Sequence, residues 1–97
     1  MATVEIHPTC LAEDLASIPG SIRAGIFNKI AVLETDPRRG RPLTGKLRGH
    51  RRITYGRYRI VYRWDQAREH VLVWLVGLRA ERLYAVAESV SRKRTGR

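Results

Sequence analysis

Two alternating runs meet at Gly56 in RRITYGRYRIVYRW (51–64), and no other segment constrains this chain's fold as tightly. A two-residue connection, Gly56-Arg57, between polar-apolar alternations is the signature of a β-hairpin, with glycine supplying the positive φ that such tight turns need. The turn sets the register. Tyr55 then pairs with Tyr58, Thr54 with Arg59, Ile53 with Ile60 and Arg52 with Val61. Because side chains alternate across a strand, Arg52, Thr54, Arg59 and Val61 share one face, and Ile53, Tyr55, Tyr58, Ile60 and Tyr62 share the other. Arg52 and Arg59 stand diagonally on the first face, close enough to share an anion and repelling one another without one. Arg51, Arg57 and Arg63 read as edge and turn residues that discourage sheet-to-sheet association.

The apolar face requires a cover, and the N-terminal third offers it. TVEIH (3–7) alternates as a short strand, Pro8 closes it, and Thr9 is the expected N-cap of a helix carrying Leu11, Leu15 and Ile18. Pro19-Gly20 stops that helix; a second begins near Ser21, with Ile22, Ile26, Ile30 and Leu33 in one stripe before Pro37. Residues 37–46 read as a loop bearing Arg38, Arg39, Arg41 and Lys46 as candidate nucleic-acid contacts. HVLVWLVG (70–77) is apolar on both faces, as a central strand is, covered by helices on one side and by something less permanent on the other. Leu83, Val86 and Val90 recur helically after it. The expected fold is α+β, in the order β-α-α-β-β-β-α, a small sheet with a helical hairpin on one face. Residues 1–90 form a single domain, and 91–97 a basic tail.

At 97 residues the chain has room for one modest core. It holds no apolar run near the roughly 20 residues of a membrane span. MATVEIHPTC lacks a basic-then-apolar secretory leader, so the expected location is cytoplasmic, with no membrane partner. Cys10 is the one cysteine and reads as buried filler. His7, His50 and His70 lack partners at metal-ligand spacing, so neither metal nor small-molecule cofactor is expected. Trp64, Trp74, Tyr58 and Tyr62 read as core.

Charge gives the functional lead. Residues 1–36 carry two basic and five acidic side chains, a net −3, while 37–97 carry seventeen and four, a net +13, which together make +10. Clustered cations gain by displacing counterions from a phosphate backbone, and arginine binds phosphate oxygens bidentately.

KLRGHRRITYGRYRIVYRW, an apolar strand, and then VGLRAERLY resemble the RelE/ParE superfamily of bacterial toxins, from VEIH through Tyr84. The resemblance implies a small twisted, mostly antiparallel sheet with a helical hairpin on one face. It implies an acidic antitoxin as partner, and one of two activities. RelE-like members are metal-independent endoribonucleases cutting mRNA on the ribosome; ParE-like members inhibit DNA gyrase and lack the catalytic set. Carried over, the catalytic positions fall on Arg52, Arg59, Arg79 and Tyr84. A second basic position before the turn falls on Thr54, which carries no charge, a departure that favours the gyrase reading. A non-catalytic nucleic-acid-binding module is the third expectation.

Cutting RNA without metal drives a 2′-hydroxyl onto the adjacent phosphorus. The reaction needs a proton acceptor, stabilisation of the non-bridging oxygens and a proton for the leaving 5′-oxygen. Arg59 and Arg79 suit the second task, joined by Arg52. Arginine's pKa, above about 12, makes it a poor base. Tyr84 is then the candidate proton acceptor, ahead of Lys46.

Overall fold

A computed structural model describes residues 1–78 and 83–96. Five strands form one sheet in the order β1-β5-β4-β3-β2: β1 (Thr3–Ile6), β2 (Arg41–Pro42), β3 (His50–Tyr55), β4 (Tyr58–Asp65) and β5 (His70–Leu78). β1 runs parallel to β5, and every other pairing is antiparallel. Two helices, α1 (Gly20–Val32) and α2 (Leu83–Thr95), lie against it. Among the described residues no helix is long and apolar enough to cross a membrane.

The hairpin register is the expected one, from Tyr55↔Tyr58 through Arg52↔Val61. Gly56 takes φ 57° while Arg57 keeps a negative φ, the pattern of a type II′ turn with glycine first. On the apolar face, Ile53, Ile60 and Tyr62 are buried with Val71, Val73 and Val76 beneath Ile26, Ile30 and Leu33. Ile22 is half-buried at the margin of this layer. Tyr55 lies over Gly25 of α1, so closely that a Cβ there would collide with its ring.

The strand that reads as apolar on both faces has a structural reason for doing so. Val61 pairs with Leu75 but Tyr62 with Val73, so β5 carries an extra residue, Trp74, at a bulge. The alternation therefore shifts. Val71, Val73 and Val76 face α1, whereas Leu72, Trp74 and Leu75 face α2 together with Val61 and Leu47. The second cover is thus the C-terminal helix, a permanent element where a transient one was expected. Leu83 and Ala87 are its buried residues, with Val90 beside them; Val86 is 47% exposed, so the contact line runs 83-87-90 rather than through 86.

Three further details depart from the sequence reading. The first helical segment is irregular, a π-helical turn (Cys10–Asp14) followed by a 3-10 turn (Leu15–Ser17). Thr9 is already helical, and its N–H donates to His7 Nδ1 at 3.1 Å, so the imidazole does the capping expected of the threonine hydroxyl. The basic stretch after Ser91 continues α2 as far as Thr95, and the Arg94 side chain is only 11% exposed.

Candidate anion-binding site

β2 pairs with only the first part of β3, through Arg41↔Arg52 and Pro42↔Arg51. Leu43 N–H donates to His50 O, so the even-numbered residues of β3 turn their backbone groups toward β2. Beyond Arg52 the edge continues past the end of β2, and Thr54 lies there. A cleft of about 310 Å³ opens at this edge. Arg52 and Thr54 of β3 and Arg59 of β4 line it from the sheet; Arg39 and Arg41 enter from the loop, Lys29 from α1, and Ile53 forms part of the wall. No carboxylate lines it among the described residues.

Like charges are placed side by side here. Arg41 stands directly opposite Arg52, and Arg59 sits across from Thr54, one pair further along the same sheet face. Directly opposed cations on a sheet repel. Such an arrangement is stabilised by an anion bound between them. Asp36 lies 3.7 Å from Arg39, with both side chains about half exposed, so it is a weak, screened neutraliser.

The loop is held in place by the sheet. Tyr62, fully buried, donates its phenolic hydrogen to Pro37 O at 2.6 Å and accepts the Gly40 N–H at 2.9 Å. Burial pushes the Tyr62 phenol above its usual pKa, with the Gly40 amide pulling the other way. Arg51 Nη1 donates to Gly40 O at 2.8 Å and to Arg38 O at 3.3 Å. Arg51 is therefore a brace for the loop rather than an aggregation guard, and Tyr62 is a hydrogen-bonding hub as well as core. A Cβ on Gly40 would lie 2.6 Å from Tyr62 Oη and 2.8 Å from Arg52 O, so only glycine fits where loop and sheet cross.

Of the residues singled out from the sequence, Arg39, Arg41, Arg52, Thr54 and Arg59 come together in the cleft. Arg38 does not; it reaches the β4–β5 turn, where Nη2 donates to Gln66 Oε1 at 2.9 Å. Lys46 lies exposed on a separate 3-10 turn (Gly45–Leu47). Tyr84 is 37% exposed at the start of α2 and is not among the cleft residues. It follows Leu83, whose Cδ1 lies 2.5 Å from where a Gly77 Cβ would stand, and Gly77 is the partner of Arg59. Arg79 lies outside the described residues. The cleft residue that sequence reading missed is Lys29. Its signal was legible: Ile22, Ile26, Lys29 and Leu33 follow i, i+4, i+7, i+11 spacing, which puts a cation on the margin of an otherwise apolar stripe.

Other polar clusters have different work. Trp74 Nε1 donates to His50 Nδ1 at 3.0 Å inside the second core, so that nitrogen acts as an acceptor. His70 Nε2 lies 3.0 Å from Glu5 Oε1 across the β1–β5 pair. Among the described residues no three His, Cys, Asp or Glu side chains form a metal-binding group. Cys10 is fully buried, and burial pushes its thiol up to about 12, with the Asp14 carboxylate adding to the shift.

A family profile described as the ParE toxin of type II toxin-antitoxin systems matches residues 5–83. The toxin-antitoxin complex RelBE2 of Mycobacterium tuberculosis contains a chain 31% identical to this one, at TM-score 0.74, covering 80% of this chain and 98% of that one. The isolated E. coli RelE toxin superposes at TM-score 0.70 with 23% identity, covering 96% and 99%. A chain of the archaeal RelE-RelB complex of Pyrococcus horikoshii gives 0.66 with 19% identity, covering 82% and 97%. The last two likenesses bear on the fold alone. No curated protein matches the chain.

Proposed function

The chain belongs to the RelE/ParE superfamily and is the toxin of a type II toxin-antitoxin system, and from that premise we propose that it is a RelE-like endoribonuclease cutting mRNA on the ribosome. The observation that carries this reading is the convergence of Arg52 and Arg59, with Arg39, Arg41 and Thr54, on one cleft that no carboxylate lines among the described residues. A gyrase-binding surface has no need of guanidinium groups gathered around one open cleft. A transition state that loads charge onto non-bridging oxygens does.

In this reading a single-stranded message lies along the β3 edge. Arg59 and Arg52, joined by Arg79, neutralise the phosphate while the neighbouring 2′-oxygen bonds to phosphorus and gives its proton to Tyr84; the bond to the 5′-oxygen breaks, and the departing oxygen takes a proton from water. Thr54 contributes a hydroxyl and no charge. Catalysis then rests on aligning the nucleophile and stabilising charge, with the ribosome supplying much of the alignment. The partner that silences the toxin is an acidic antitoxin covering the basic face. Support for that partner comes from the RelE-RelB and RelBE2 complexes, in which the related chains are assembled with antitoxins.

The uncharged Thr54 favours the second reading, a ParE-like gyrase inhibitor without chemistry of its own. Expression in cells, with mapping of transcript ends and of DNA breaks, separates the two. Codon-phased breaks in translated messages support the nuclease. DNA damage with intact messages overturns it in favour of the inhibitor, and the absence of both leaves only a phosphate-binding module.

A further inference from the structure

The cleft crosses the edge of the sheet. Arg52, Thr54 and Arg59 stand on the face turned away from α1, yet the lining continues past Ile53 to Lys29, which α1 carries on the opposite side. Helix and strand run in step there. Gly25 lies against Tyr55, and one helical turn further Lys29 meets the neighbourhood of Ile53, two residues back along β3. Four helical residues advance about 6 Å and two strand residues about 7 Å, so the match follows from the two repeats.

Lys29 is half-buried, sits in no described ion pair, and shares its cleft with four arginines. Holding an ammonium group there, beside an apolar stripe and among like charges, costs stability in the free protein. Thr54, the strand partner of Arg59, lines the same cleft and brings no charge.

We propose that Lys29 binds a second phosphate of the RNA strand, adjacent to the one on Arg52 and Arg59, so that the bound strand bends over the β3 edge from one side of the sheet to the other. Lys29 supplies from α1 the cation that Thr54 does not supply from β3. The inference rests on the RNA-cleaving reading of this cleft and extends its substrate contacts around the edge; it assigns no proton transfer to Lys29.

The test uses the full chain and a short single-stranded RNA with 2′-O-methyl riboses, which binds without being cut. Its affinity is measured across a salt series for wild type, Lys29→Gln, Lys29→Gln with Thr54→Lys, and Lys93→Gln as a control for a lost surface charge. The proposal expects Lys29→Gln to weaken binding about tenfold at low salt. The slope of log K against log salt should become shallower by about 0.7, as for one lost contact to a single strand. Thr54→Lys should restore both, while Lys93→Gln leaves the slope unchanged. A Lys29→Gln slope equal to that of wild type, or no RNA binding by wild type at all, overturns it. Transcript cleavage followed in parallel keeps the two readings apart. Cleavage by wild type with an unchanged Lys29→Gln slope sinks the second contact alone, whereas RNA binding with the expected slope change but no cleavage sinks the nuclease and leaves the contact standing.

Discussion

The sheet has two edges where a short flanking strand stops early, and the chain treats them in opposite ways. Beyond β1, which ends opposite Val73, the outer edge of β5 is closed by its own neighbours. Val76 N–H donates to Asp14 Oδ2 at 3.0 Å, and Arg94 Nη1 donates to the same carboxylate oxygen at 2.8 Å and to Trp74 O at 3.0 Å. One acid from the N-terminal helical turns and one base from α2 thus satisfy the strand edge and each other. Beyond β2, the edge of β3 opens on the cleft, whose charged lining among the described residues is Lys29, Arg39, Arg41, Arg52 and Arg59. The first edge is complete within the molecule. At the second, Arg41 stands opposite Arg52 and the charged residues lining the cleft are all positive among the described residues, an imbalance that a bound anion would relieve and that supports the proposed site.

The largest effect should come from the open edge. Arg59→Ala, and separately Arg52→Ala, should lower RNA cleavage about 10²–10³-fold, as for loss of a group that stabilises transition-state charge, and should abolish growth arrest. Thermal unfolding should show the fold intact, since both side chains line an open cleft rather than the buried core. Full cleavage by both variants would dissolve the distinction between the edges.

At the closed edge the expected loss is of stability. Arg94→Ala leaves the Asp14 carboxylate, itself 12% exposed, without its cation. Breaking a largely buried pair from one side costs about 3 kcal/mol, readable as a lower urea midpoint. Cleavage per folded molecule should survive. Unchanged unfolding would mean that α2 is held by its apolar line alone.

A smaller change should fall on the support of the open edge. Tyr62→Phe removes the donor to Pro37 O and the acceptor for Gly40 N–H. It should cost about 1–2 kcal/mol and weaken RNA binding through the loop that carries Arg39 and Arg41. Equal affinity in both proteins would show that this loop needs no anchoring.

The smallest effect is invisible at neutral pH. Cys10 sits beside Asp14 at the closed edge, its thiol moved from 9.0 to about 12. A raised thiol pKa favours the folded state while the thiol stays protonated. That contribution is complete below the unfolded value and is lost as pH climbs from about 9 toward 12, because the unfolded chain releases its proton first. Stability should therefore fall above pH 9, less steeply in Cys10→Ala, and native Cys10 should resist thiol reagents near neutrality. Rapid labelling there would show that this edge opens.

Much of the fold was legible because it depends on local repeats. A two-residue turn with glycine first sets the β3–β4 register, and that register alone divides Arg52, Thr54 and Arg59 from Ile53, Ile60 and Tyr62. What stayed hidden depended on contacts between distant segments. Trp74 as a bulge residue has no sequence mark, since an apolar strand looks the same with or without one, yet it turns half of β5 toward α2. The capping imidazole of His7 was obscured by a threonine that fits the usual cap better.

The amino-acid order by itself determined where positive charge would accumulate and which arginines of the hairpin would look the same way, since strand alternation is a property of neighbours. Only the tertiary structure decided which cations share one cleft. Arg38 is drawn off toward Gln66 while Lys29 is brought in from α1, and both outcomes follow from how a helix and a loop pack on the sheet. Side-chain reach across packed elements depends on the spacing of their axes and the step of their repeats, quantities that no single segment encodes.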